Sequence, residues 1–163
     1  MHGCLGHNDE QERLVPTQLG DVSKVVMVAA GRYHTVAVSD GVLYVWGYGA
    51  YGGLGLGDDA DRLAPVMVAV EAFGGYRVLV AACGDYHTLV VSENGAMWSC
   101  DNGNGGGWPR QQALVDRFVP TCISAQHFGN PKIVSAAAGW SDHNEFHMWS
   151  QSSAVTELGA LYT

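Results

Sequence analysis

The sequence predicts an all-β chain, a partial β-propeller of about three four-stranded antiparallel blades, on three observations. A phrase containing glycine and histidine returns at a period above fifty residues. Short apolar runs alternate with Asp-Gly and Asn-Gly turns. Glycine supplies 22 of 163 residues, roughly twice its usual share, beside only 5 prolines and no collagen-like period. Glycine used that way serves turns between short strands.

The repeated phrase is Val28-Ala29-Ala30-Gly31-Arg32-Tyr33-His34-Thr35, then Ala81-Ala82-Cys83-Gly84-Asp85-Tyr86-His87-Thr88. A looser copy is Ala136-Ala137-Ala138-Gly139-Trp140-Ser141-Asp142-His143. The glycines stand 84 − 31 = 53 and 139 − 84 = 55 residues apart. That spacing is too long for a helical hairpin and suits a four-stranded blade. The small-residue runs before each histidine fit innermost strands, where blades crowd an axis. After Thr35 and Thr88 come the apolar strands Val36–Ser39 and Leu89–Ser92. Asp40-Gly41 and Asn94-Gly95 then provide residues tolerant of positive φ for a hairpin. Return strands follow at Val42–Trp46 and Ala96–Trp98. By spacing, Trp46, Trp98 and Trp149 occupy one blade position, each expected to bury its ring between blades.

Beyond Trp46 runs a glycine-rich turn containing Gly47, Gly52, Leu54 and Gly55, with Pro65 ten residues past Gly55. Leu5-Gly6 with Pro16 repeats its end, Leu158-Gly159 echoes it again, and Pro120 opens the corresponding third segment. The expected division is 1–26 for the tail of one repeat, 27–79 and 80–132 for two repeats, and 133–163 for a shortened one. Trp149 stands only 149 − 143 = 6 positions after His143, so the third hairpin is expected to be incomplete.

The order Leu-Gly, Pro, Ala-Ala-Gly-x-x-His-Thr, Asp-Gly-x-x-Tyr-x-Trp-Gly, Gly-x-Leu-Gly resembles the regulator of chromosome condensation repeat. The resemblance covers essentially the whole chain. It implies blades of a closed propeller, of which this chain carries a part. It also implies a protein partner, with guanine-nucleotide exchange on a Ran-like small GTPase as the alternative. An independent enzyme stands well behind both.

Composition narrows the classes. Eight basic against sixteen acidic residues give a formal charge of −8, with the basic residues scattered, so direct nucleic-acid binding is not expected. Cys4, Cys83, Cys100 and Cys122 show no paired spacing, and Cys83 reads as a buried free thiol in a reducing compartment. No apolar run approaches the ~18–20 residues of a membrane span. The chain reads as intracellular, cytoplasmic or nuclear.

Chemistry finds no foothold. Gly47-x-Gly49-x-x-Gly52 matches a dinucleotide fingerprint by letter, but Gly53, Gly55 and Gly57 would break the helix that a pyrophosphate site requires. His143-x-Glu145-x-His147 misplaces the glutamate of a zinc-protease helix, and His34, His87 and His143 read as one structural position. Neither metal nor cofactor is expected, and no nucleophile or carboxylate pair stands out for catalysis. An incomplete ring leaves apolar positions such as Val36, Val38, Leu43 and Val45, or their later equivalents, bare at an end blade. Self-association of the isolated chain follows.

Overall fold

A computed structural model describes residues 2–101, 117–139 and 151–163. The described residues fold into three antiparallel sheets in sequence order. The first holds β1 (Val25–Ala30), β2 (His34–Ser39), β3 (Val42–Gly47) and β4 (Arg62–Val68). The second repeats this with β5 (Val78–Cys83), β6 (His87–Ser92), β7 (Met97–Asp101) and β8 (Arg117–Ile123). The third contains β9 (Ile133–Ala138), β10 (Ser152–Thr156) and β11 (Leu161–Tyr162). Short 3-10 turns at Val70–Phe73 and Ala125–Phe128 connect successive sheets, each burying its phenylalanine and ending in a left-handed glycine. The expected boundaries at 27 and 80 fall inside β1 and β5, whereas 133 coincides with the start of β9.

Alternation decides what each sheet buries. Val36, Val38, Leu43 and Val45 project from the first sheet onto Ala81, Cys83 and Val90 of the second, forming one core between the two blades. These three valines and one leucine, or their later equivalents, were expected at an open face; the four named are sealed, none more than 1% exposed. On the opposite side of the second sheet, Leu89, Val91 and Met97 pack with Ile133 and Ala154 of the third. Apolar side chains at an open face occur elsewhere, at Val28, Met67 and Leu161.

The first strands converge, with β1 against β5 and β5 against β9. There the backbones come so close that a Cβ on Gly31 would run into the Gly84 carbonyl and lie 2.9 Å from the Cys83 Cβ. That closeness is why the inner strands carry Ala-Ala-Gly and Ala-Cys-Gly rather than larger residues. Pro65 and Pro120 lie in β4 and β8, the terminal strands of their sheets, where a missing N–H is tolerated.

Hairpin length corrects the repeat alignment. Asp40 and Gly41 both have positive φ and make a two-residue turn, whereas Ser92 to Ala96 needs one more residue, with Gly95 at φ 82°. Strand register is therefore displaced by one. Trp46 pairs with Thr35, but Trp98 pairs with Val90, matching Tyr44 opposite Ala37. Cys100, opposite Thr88, is the residue that stands where Trp46 does. Trp98 still packs toward the first blade, edge-on to Phe73 at 5.9 Å.

The third blade departs further. Ser152 pairs with Ala138 just as Thr35 pairs with Ala30 and Thr88 with Cys83, and Gln151 O accepts from Gly139 N at 2.9 Å. Gln151 thus takes the position of His34 and His87. His143 and Trp149, assigned to repeat positions by spacing, lie outside the described residues. The third hairpin does form, β10 to β11, and Leu158-Gly159 is its turn rather than an echo of Gly-x-Leu-Gly. The distance from glycine to the first residue of the next strand position is 151 − 139 = 12, against 34 − 31 = 3 and 87 − 84 = 3.

A buried hydrogen-bond relay joins the blades. Thr88 Oγ1 donates to the Gly53 carbonyl at 2.7 Å, and His34 Nε2 lies 2.9 Å from the same hydroxyl. The hydroxyl's single proton is committed to Gly53, so His34 must donate through Nε2–H. One step on, His87 Nε2 lies 3.2 Å from Ser152 Oγ. One step back, Thr35 Oγ1 donates to the Cys4 carbonyl at 3.1 Å, and Trp46 Nε1 donates to it at 2.8 Å. Burial pushes both imidazoles down to about 4, with the neighbouring His87 adding to the effect on His34.

Two outcomes test this frame. Gly31→Ala forces a carbon against backbone and should cost about 1–3 kcal/mol in urea unfolding. Gly20→Ala, with nothing within 4 Å, should change stability by less than about 0.5 kcal/mol. The histidines set a pH window. Their folded values near 4 lie below the ordinary 6.5, so protons favour the unfolded chain, and stability is lost as pH falls from 6.5 to 4. Each can contribute roughly 3 kcal/mol over that range. His34→Gln keeps a donor without the titration, so its melting temperature should fall less steeply across the same window.

Candidate functional site: an aromatic face at the inner turns

The turns between the first two strands of each blade, Gly31-Arg32-Tyr33 and Gly84-Asp85-Tyr86, share one face of the molecule. Tyr33 and Tyr86 stack across the blade boundary with ring centroids 5.2 Å apart and planes 23° from parallel. The connection after β3 contributes Tyr48, 5.7 Å from Tyr33 and 6.3 Å from Tyr86. It also contributes Tyr51, edge-on to Tyr86 at 5.4 Å. Tyr51 has φ 65°, a conformation uncommon outside glycine, within a short 3-10 turn. His2 closes the rim, its ring 4.4 Å from Tyr48 and its Nδ1 2.9 Å from Asp61 Oδ2. Asp61 Oδ1 in turn accepts from Gly49 N at 2.9 Å, anchoring the connection.

Charge sits beside this cluster. The exposed Arg32 guanidinium lies 4.9 Å from the Tyr33 ring centroid, a cation–π arrangement. The Tyr86 phenol is pushed up to about 12, first by burial and then by its hydrogen bond with Tyr33, so it stays neutral. Next to the tyrosines, three inner strand ends surround a cleft of about 360 Å³. Its walls are Ala30, Gly31, Arg32, Cys83, Gly84, Ala138 and Gly139, so its width depends on small residues.

This arrangement suits contact rather than reaction. Rigid half-buried tyrosines offer large amphipathic area at little entropic cost, and Arg32 adds a planar cation. Burial pushes the Cys83 thiol up to about 12, which leaves it un-ionised and unfit as a nucleophile. Among the described residues no group of three His, Cys, Asp or Glu side chains could hold a metal ion. His34 and His87 point along the blade relay instead. All four cysteines are free. No helix among the described residues is long and apolar enough to cross a membrane.

Apart from Gly31, Gly84 and Gly139, which line the cleft, the repeat-signature residues of the described segments fall around this face rather than on it. Gly41 and Gly95 turn the hairpins, each with positive φ. Trp46 and Leu54 are buried, Gly47 ends β3, and Gly52 lies in the connection beyond it. Gly6 packs on Trp46, with room for no more than hydrogen, and Gly55 packs likewise on Cys100. Leu5 is exposed, and Pro16 stands outside any strand. Tyr33 and Tyr86 lie within the repeated phrase, but spacing gives no hint that they meet each other or Tyr48.

The model of the Regulator of chromosome condensation (RCC1) repeat matches residues 1–38 and 40–91. Ultraviolet-B receptor UVR8 of Arabidopsis thaliana is 36% identical over 170 residues, covering 99% of this chain and 34% of the relative. Human WBSCR16 superposes with a TM-score of 0.77 at 22% identity, over 98% of this chain and 39% of that one. Prp20p of Saccharomyces cerevisiae superposes with a TM-score of 0.62 at 24% identity, over 87% and 33% of the two chains. The chain therefore spans about a third of the length of these proteins. The matched repeats and the blades they form place the chain in the regulator of chromosome condensation repeat family.

Proposed function

We propose that the chain is a protein-interaction module that presents its inner-turn face to a protein partner and performs no catalysis itself. The observation that carries this reading is the tyrosine cluster. Tyr33, Tyr48, Tyr51 and Tyr86 come from three separate turns, stay partly accessible, and gather beside an exposed arginine that lines the neighbouring cleft. Tyrosine and arginine are the residues that concentrate binding energy at interfaces. The blade frame is satisfied without them, since the relay and the two cores use other side chains.

The partner is expected to be a protein, with a small GTPase as a specific case. Prp20p, similar in fold, is described with binding to Gsp1p and histones. Exchange activity needs a contact surface wider than the face seen here, so the chain should not accelerate GDP release from a Ran-type GTPase. Acceleration at sub-stoichiometric protein would establish exchange instead.

The test of the module reading replaces Tyr33 and Tyr86 together by serine. The double variant should keep the β-sheet circular dichroism and a melting temperature close to that of the unaltered chain. It should lose at least tenfold in affinity for whichever protein the unaltered chain retains in cross-linking from its own cells. Unchanged retention would remove the aromatic face from the proposal.

A further inference from the structure

We infer, resting on the interaction-module reading, that the partner meets the tyrosine face with a cationic segment, a stretch of chain bearing several arginine and lysine side chains. The rings and the charges of the face both favour such an occupant, and they come from different parts of the sequence.

A tyrosine ring attracts a cation to its negative face, and a guanidinium stacks on it readily. This chain already seats one: the Arg32 guanidinium lies 4.9 Å from the Tyr33 centroid. Tyr48 and Tyr51 stand beside the stacked Tyr33 and Tyr86, and Tyr51 is 42% exposed. Ring surface is therefore open to a cation from outside.

Carboxylates surround these rings. Residues 57–62 carry Asp58, Asp59 and Asp61 against Arg62, and residues 7–13 carry Asp9, Glu10 and Glu12 against Arg13. The inner turns add one charge of each sign, Asp85 and Arg32. Seven carboxylates thus meet three arginines, an excess of 7 − 3 = 4 negative charges, half of the formal −8 of the whole sequence. The two strips lie side by side, since Asn8 N donates to the Leu63 carbonyl at 2.8 Å, at the start of β4. Two of the arginines are engaged within the strips. Arg13 Nη2 meets Asp9 Oδ2 at 2.7 Å, and Arg62 Nη2 meets Asp58 Oδ2 at 2.8 Å. Glu12 and Asp59 are exposed.

Asp61 joins the charged and aromatic parts. Its Oδ1 accepts from Gly49 N at 2.9 Å, between Tyr48 and Tyr51 in the chain. Burial, then Tyr51 and then the Asp61 charge hold the Tyr48 phenol above its ordinary value. A negative potential thus reaches the rings themselves and adds to their attraction for a cation. At the opposite end of the blades, Lys24, Arg77 and Lys132 stand among the carboxylates, and Arg77 Nη2 meets Asp40 Oδ1 at 2.7 Å. Asp21 and Glu71, both exposed, lie in the connections that enter β1 and β5 at that end.

The probe is a fluorescein-labelled peptide of three Gly-Arg-Ser-Lys repeats, read by anisotropy in about 50 mM salt, beside a peptide with glutamate in place of each cation. The unaltered chain should bind the first and not the second. Glu12→Gln combined with Asp59→Asn should weaken binding by about fivefold or more, as should Tyr33→Ser combined with Tyr86→Ser. Asp21→Asn combined with Glu71→Gln makes the same change of charge at the opposite end and should weaken binding by less than about twofold. Each pair should keep the β-sheet dichroism of the unaltered chain. No binding of the cationic peptide, equal binding of the anionic one, equal loss from the two carboxylate pairs or unchanged binding by the tyrosine pair would each overturn the cationic partner. Retention of the cellular partner separates this from the module reading. If the tyrosine pair loses that partner while Glu12→Gln with Asp59→Asn keeps it, the cationic segment falls and the module stands. If the tyrosine pair keeps it, both fall.

Discussion

Close approach of neighbouring sheets at their inner strands is the constraint on which the remaining structure depends. Gly31 beside the Gly84 carbonyl leaves no room for a methyl group, and the first strands end in small residues there, Ala29-Ala30 and Ala82-Cys83. A buried relay then becomes possible, because the second strands come near enough for a ring of one blade to reach a hydroxyl of the next. His34, Thr88 and the Gly53 carbonyl belong to three different elements, and each satisfies a polar group that would otherwise be buried unpaired. The two apolar cores fill the space on either side of this line.

The relay tolerates change more readily than the close approach does. In the third blade a glutamine and a serine stand where histidine and threonine stand earlier, and Ser152 still meets His87. The tryptophan that packs on Gly6 in the first blade is replaced by Cys100 beside Gly55 in the second. In both cases the backbone geometry persists while the side chain varies. Such a frame leaves the turns free to differ, and the tyrosines that gather on the inner-turn face occupy that freedom. Three tyrosines from separate connections can cluster only because the sheets are already held at a fixed spacing.

Much of the blade was legible beforehand because it depends on local chemistry. Asp-Gly demands a tight hairpin wherever it stands, alternating valines demand a two-sided strand, and Ala-Ala-Gly permits crowding. These features placed the strands of the first two blades and excluded helix-dependent sites. Spacing alone failed where a single residue entered a hairpin. The extra residue between Ser92 and Met97 moved Trp98 onto the level of Tyr44, and no count of residues distinguishes a longer turn from a longer strand. The longer interval after Gly139 acts in the same way, since Gln151, 151 − 139 = 12 residues on, takes the position that His34 and His87 hold 3 residues after their glycines.

By itself, the sequence determined the class of fold, the length of the repeat and the family, because turn preferences and side-chain alternation act over a few residues. Only the tertiary structure decided which residues are equivalent, which valines lie between blades rather than at an end, and which tyrosines meet. The physical reason is register: strand pairing is settled by hydrogen bonds between segments far apart in the chain. A shift of one residue changes every partner while leaving the local pattern intact.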